Sequence, residues 1–428
     1  MDYPTWFDVI AVGSVAVVAF MLVLALFTPG IAYKVSGAGS LDLDSEGFLR
    51  MVEAITDAQV RRPSAVEVLT NGEVYFEAEL EAIARAQHSV NLEAYIFQRG
   101  EVADRFVRAL AERARAGVEV RLVLDAVGSF ASWQSYFKEL TDAGGRVGWY
   151  HPLRWHTWPR FNNRTHRELI IVDGRVGFVG GSGVADHWLK PQGKGQRRWR
   201  DTMFRVEGDL VLGLQATFVE NWLEASGEVL AGDDFFPRLG DVEGGTSGFV
   251  VNSSPTSGGS TRVRILYQTL LAAARESVLI TTPYFLPDRS ARRELVRALG
   301  RGVRVEIVTP GVHSDHLLTR TSSRRLYGDL LKAGARVYEY RPGMLHAKTM
   351  VVDGAWAVVG TTNFDNRSFG LNDEVNIAAF DHKLSARIAE DFARDRAESR
   401  EMSYEEWRGR PLWERAYEQL GRLLERQQ

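Results

Sequence analysis

The sequence predicts an α/β protein of two similar halves, each a mostly parallel sheet flanked by helices, behind one N-terminal transmembrane helix. Three observations predict it. Strand-like and helix-like stretches alternate in the same order twice along 428 residues, the pattern of βαβ units. The two runs match in detail: Ala143-Gly144-Gly145-Arg146-Val147 and Ala333-Gly334-Ala335-Arg336-Val337 lie 190 positions apart. Residues 9–33 form a run of 25 without one charged side chain.

That run suits a membrane span, because about 20 apolar helical residues cross a bilayer's hydrocarbon core. Trp6 and Tyr33 flank it as interfacial aromatics do. The residues before it include Asp2 and Asp8 and no Lys or Arg, which argues against a cleaved signal peptide. Lys34 follows the run, so the positive-inside rule puts the body on the cytoplasmic side. The chain divides into an anchor and connector (residues 1–40), a first half (41–240) and a second half (241–428), with a Gly/Ser-rich stretch at 241–260 between the halves.

In the first half, apolar patterning predicts a strand over 66–69, a helix over 75–87 and a strand over 89–97. A helix over 102–116 follows, ended by Gly117, and then a strand over 118–125. The second half repeats this with a helix over 266–275, a strand over 278–285, a helix ending near Gly302 and a strand over 303–309. Residues 149–161 are rich in Trp, Tyr and Arg, a composition suited to resting among lipid headgroups. Leu412, Trp413, Ala416, Tyr417, Leu420, Leu423 and Leu424 give the tail amphipathic helical spacing. The net charge of −3 provides no basic field for nucleic acid, and without cysteine there are neither disulfides nor thiolate-bound metals.

The chemistry lies in a repeated motif. In the second half His346-Ala347-Lys348 is followed by Asp353 and then Gly360-Thr361-Thr362-Asn363. Residues i and i+2 of a strand share a face, so His346 and Lys348 present an imidazole and an ammonium side by side, a pair suited to an anion. The first half repeats the spacing with His166-Arg167-Glu168, Asp173 and Gly180-Gly181-Ser182-Gly183. Glu168 stands where the lysine should be and Gly183 where the asparagine should be, while Arg167 should face away from the site.

Two halves facing each other across a pseudo-twofold would bring His166 and His346 into one cleft. Two imidazoles beside cationic donors suit phosphodiester exchange with no metal or other cofactor: one attacks phosphorus and the other protonates the departing alkoxide. Lys348 and Asn363 would stabilise the equatorial oxygens, with Ser182, Thr361 and Glu168 as further substrate-contact positions. Each histidine needs a partner to fix its tautomer, and Asp201 and Glu374 are the candidates. Asp173 and Asp353 complete the catalytic motifs, bracing the turns after the motif strands rather than touching substrate. Glu168 should repel a phosphodiester unless a proton, or Arg164, Arg198 or Arg200, neutralises it.

These motifs, with residues 91–97, 124–129 and 282–288, resemble the phospholipase D superfamily and, within it, the bacterial cardiolipin synthases, over roughly residues 60–415. The resemblance implies that two phosphatidylglycerol molecules are joined into cardiolipin with release of glycerol. It implies His166 as nucleophile and His346 as general acid and base, roles the residues alone leave open. It also implies an anionic phospholipid partner and a place in the bacterial cell membrane. Two alternatives stay open: a membrane-anchored phosphodiesterase of the same superfamily, and a lipid-binding homologue impaired by Glu168.

Overall fold

Each half lays down seven strands in one and the same spatial order. The first half contributes Arg61–Thr70, Ser89–Ala94, Glu119–Asp125, Arg146–Tyr150, Leu169–Val172, Val176–Gly180 and Thr202–Glu207. The second contributes Thr246–Ser253, Ser277–Thr281, Arg304–Pro310, Arg336–Tyr340, Thr349–Val352, Trp356–Gly360 and Asn372–Phe380. From its outer edge inward, each half is ordered fourth, third, second, fifth, sixth, seventh, first. The two first strands pair antiparallel with each other. With the short Arg164–Thr165 and Ser399–Met402 strands, a single sixteen-stranded sheet runs through both halves. This computed structural model describes residues 5–27, 34–37, 42–152, 162–254, 261–411 and 414–415.

The expected mostly parallel sheets are replaced by one mixed sheet. Within each repeat, only the second, third and fourth strands pair in parallel; the motif strands and their neighbours are antiparallel. The cause is loop length. Crossover helices such as Glu101–Arg115 and Arg289–Gly300 connect parallel neighbours, whereas the motif strands turn back through tight Asp-Gly turns, which join only antiparallel partners. The 241–260 stretch is likewise more than a spacer, since Thr246–Ser253 sits mid-sheet between Arg61–Thr70 and Asn372–Phe380. Gly248 is needed there for space: a Cβ would lie 2.7 Å from the Ala378 carbonyl oxygen.

Both faces of the motif strands are buried, which is why they read as unbroken apolar runs. Ile170 and Val172 pack into the first half's own core, and Met350 and Val352 into that of the second. Leu169, Ile171 and Val351 turn into a central core shared with Leu214 and Phe218 of the Leu210–Ser226 helix and with Leu384 and Ile388 of the His382–Ala397 helix. Each such side chain contributes about 1.5–3 kcal/mol by leaving water, and this core joins the halves into one body.

A helix, Trp6–Phe27, forms over the uncharged run, with Val12 and Phe20 exposed. Its side chains are described only as far as Met21, and among the described residues no helix is long and apolar enough to cross a membrane. Tyr33, residues 153–161 of the aromatic stretch and the tail leucines from Leu412 onward lie outside the described residues.

Candidate active site

The site forms where each half reaches across to the other. Ahead of its motif strand, the first half's Arg164–Thr165 pairs in parallel with Asn372 and Asp373 at the start of the second half's seventh strand. The His166 amide donates to the Asp373 carbonyl (2.9 Å), and the His346 amide donates to the Arg200 carbonyl (2.7 Å). Each histidine is thereby stitched beside a carboxylate of the opposite half. His166 Nδ1 lies 3.1 Å from Glu374 Oε1, and His346 Nδ1 lies 2.8 Å from Asp201 Oδ2. Sequence order alone would have paired each histidine with the carboxylate downstream in its own half.

Both carboxylates are themselves held. Glu374 accepts from the Thr361 hydroxyl (2.5 Å). Asp201 accepts from the Trp188 indole (3.0 Å) and the Thr202 amide (2.8 Å). Burial opposes the Asp201 charge, but His346 and Lys348 hold its carboxyl below the ordinary carboxylate range. Thr361, expected to meet substrate, instead fixes Glu374.

Lys348 is buried, donates to the His346 carbonyl (2.7 Å) and lies 2.9 and 3.1 Å from the two ring nitrogens of His346. Burial pulls its ammonium down to about 8, against the charges of Asp201, Glu374 and Glu168. That one cation feels carboxylates from both halves, so the cleft is shared. Burial and the Lys348 charge together push the His346 imidazolium below its ordinary range. His166 keeps 12% of its side chain exposed against 4% for His346, and the Tyr95 ring packs 5.4 Å from it.

Glu168 is not neutralised by any of the three arginines. Arg164 pairs with Asp125, Arg198 with Glu73, and Arg200 with Asp391 and Asp395. Glu168 Oε1 instead accepts from the Tyr95 and Ile96 amides, both at 3.2 Å. Burial drives its carboxyl well above the ordinary range, opposed by the two amides and by the Lys348 charge. Gly183 is coupled to it: a Cβ there would press into the Ile96 carbonyl and lie 2.9 Å from Glu168 Oε1. Gly183→Ala should therefore cost about 1–3 kcal/mol of stability, read from the denaturant midpoint. Glu168→Gln, which keeps an acceptor oxygen for both amides, should leave the midpoint within about 0.5 kcal/mol of the parent.

Asp173 and Asp353 do not join the cleft. Both adopt φ of +53° in their turns. Asp173 accepts from the amides of Gln87, His88 and Ser89, and Asp353 from those of Arg275, Glu276 and Ser277. They lock each motif turn to the start of the second strand of its half. Arg167 is buried away from the site against Glu220 and the Thr217 carbonyl. Asn363 is buried, its Oδ1 without a hydrogen-bond partner among the described residues, and the Ser182 hydroxyl donates to the Gly183 carbonyl (3.0 Å).

Three residues were missed in the sequence. Tyr95 and Tyr284 each lie shortly after the second strand of their half, and the Tyr284 hydroxyl donates to Asp315 (2.6 Å). Asp365, raised to about 6 by burial, lies within the fields of His166 and Glu374 and caps the Asn366–Gly370 helix. Its signal was the Asp-x-x-Ser spacing just past Asn363.

A family model described as "Cardiolipin synthase, PLD-like domain" matches residues 80–189 and 267–396. The chain is 37% identical to the major cardiolipin synthase of Bacillus subtilis over 89% of its own length and 79% of that protein. It is 35% identical to a cardiolipin synthase of a Geobacillus species, over 88% and 75%. Among solved structures, the phosphatidylserine synthase of Haemophilus influenzae superposes with a TM-score of 0.68 at 15% identity, covering 89% of this chain and 99% of that one. At that identity the likeness is of the fold alone.

Proposed function

The chain belongs to the family of cardiolipin synthases with phospholipase D-like domains, and on that footing we propose that it joins two phosphatidylglycerol molecules into cardiolipin through a phosphohistidine at His166. The observation that carries this is the cross-bracing of two histidines by carboxylates of opposite halves around one buried ammonium. Two oriented imidazoles and a fixed positive charge are what exchange at phosphorus requires.

With Nδ1 held by Glu374, the Nε2 of His166 attacks the phosphorus of the first lipid. The bond from phosphorus to the glycerol headgroup breaks, and His346 gives the departing oxygen its proton. A second phosphatidylglycerol then returns a proton to His346 from its free hydroxyl, and that oxygen displaces His166. The phosphorus–nitrogen bond breaks and cardiolipin leaves. Lys348 stabilises the equatorial oxygens, and the anion it receives offsets the charge that keeps His346 hard to protonate. Burial disfavours the Glu168 charge, which lessens the repulsion it offers a phosphodiester.

A membrane tether completes the reading. The Trp6–Phe27 helix and the uncharged run to residue 33 support a single span in a bacterial cell membrane, and Lys34 supports a cytoplasmic body.

The test uses purified protein in phosphatidylglycerol vesicles with a chelator present. Cardiolipin and free glycerol in equal amounts are expected; phosphatidic acid in place of cardiolipin would make the protein a hydrolase. Turnover should fall as pH rises through about 8, where Lys348 loses its proton. Lys348→Arg, which stays charged, should flatten that limb, and an unchanged limb would remove Lys348 as its source.

A further inference from the structure

We infer that two loops related by the internal repeat, residues 126–133 and 311–317, form the surface that seats the body on a lipid bilayer, with the cleft mouth turned to the headgroups. This rests on the reading that the substrates are lipids and goes on to say which face meets them. Each loop follows the third strand of its half, Glu119–Asp125 or Arg304–Pro310. Both leave the sheet at the edge where His166 and His346 precede their strands, because Glu93 pairs with Leu169 and Thr281 with Thr349 at that end.

Outside the N-terminal helix, ten large apolar side chains are exposed among the described residues, and five of them, Val127, Phe130, Trp133, Val312 and Leu317, belong to these two segments. Single exposed apolar residues are ordinary. Half of them gathered at two equivalent positions beside one cleft is a pattern that needs an occupant. Phe130 is 70% exposed and Leu317 66%.

The loops are also fastened to the site. The Ser129 hydroxyl donates to the Tyr95 carbonyl (2.9 Å) and accepts from the Phe97 amide, beside the ring that packs on His166. Asp315 holds the Tyr284 hydroxyl in the other half. The Trp133 ring lies 4.9 Å from that of Trp149 and 6.1 Å from that of Phe130, tilted against both. A lipid whose phosphodiester reaches the histidines leaves its acyl chains at the cleft mouth, and apolar side chains there can enter the headgroup–acyl boundary. A bilayer therefore fits this rim.

The chain has no cysteine, so Phe130→Cys and Leu317→Cys each give the full-length protein one site for an environment-sensitive fluorophore. Val229→Cys is the control. Its neighbour Glu228 pairs with Arg146 at the opposite edge of the sheet, and Val229 is exposed. In phosphatidylglycerol vesicles the labels at 130 and 317 should shift to the blue and be quenched by a spin-labelled acyl chain, while the label at 229 stays aqueous. Labels at 130 and 317 that stay aqueous overturn the proposal. So does an apolar signal that appears without vesicles and tracks self-association, which would assign the rim to a second copy. A Phe130→Ser/Leu317→Ser double variant should lose about tenfold or more of its turnover on vesicles yet match the parent on short-chain, monomeric phosphatidylglycerol. Equal loss on both substrates would also overturn the proposal. If the parent makes no cardiolipin while the labels still enter the bilayer, the lipid-transfer reading falls and the surface stands.

Discussion

A His166→Ala variant is expected to make no detectable cardiolipin, a loss of about four orders of magnitude or more, and to form no covalent phosphatidyl adduct. The expectation follows from the asymmetry between the two rings. His166 is the more exposed, and among the described residues its Nδ1 is engaged by Glu374 alone, which leaves Nε2 for phosphorus. His346 is buried, with an ammonium beside both of its ring nitrogens, a setting for moving protons rather than for attack. A phosphatidyl ester of p-nitrophenol separates the roles, since that leaving group departs without protonation. His346→Ala should still release one burst of nitrophenolate and then stall, holding the adduct, whereas His166→Ala should release none. A burst from His166→Ala and none from His346→Ala would exchange the two roles.

The motif strands were legible because burial on both faces writes an unbroken apolar run, and the repeat was legible because its spacing recurs. The direction of the strands was not. Whether neighbours run parallel depends on whether a helix or a tight turn joins them, and the 169–180 and 349–360 segments hide their turns in an Asp-Gly pair that also belongs to the motif. That double duty explains Asp173 and Asp353. At φ of +53° aspartate is tolerated better than most residues, and its carboxylate can gather three backbone amides. Spacing therefore located these residues correctly while saying nothing of substrate. The fate of Glu168 was hidden for another reason. The groups that hold it are main-chain amides of Tyr95 and Ile96, and no side-chain pattern announces a backbone donor. Asp201 and Glu374 were visible as carboxylates, but their crossing between halves is a property of the assembled sheet.

That crossing sets the second large effect. Asp201→Asn, a change in the first half, should disable the second half's histidine, and Glu374→Gln should disable the first half's. An amide in place of the carboxylate offers a donor where the ring's N–H must point and leaves the wrong tautomer facing the cleft; a loss of about 10³- to 10⁴-fold is expected for such a change. The two variants should fail at different steps. Glu374→Gln should slow adduct formation even from the nitrophenyl ester, because it misorients the attacking ring. Asp201→Asn should leave the burst and stop turnover, because the proton carrier fails when the second hydroxyl arrives. Rate and burst amplitude measured together distinguish this from general loss of the fold, which would lower both in both variants. Should Asp201→Asn abolish the burst while Glu374→Gln spares it, each carboxylate would be serving the histidine of its own half. The 2.8 Å contact from Asp201 to His346 would then be structural only.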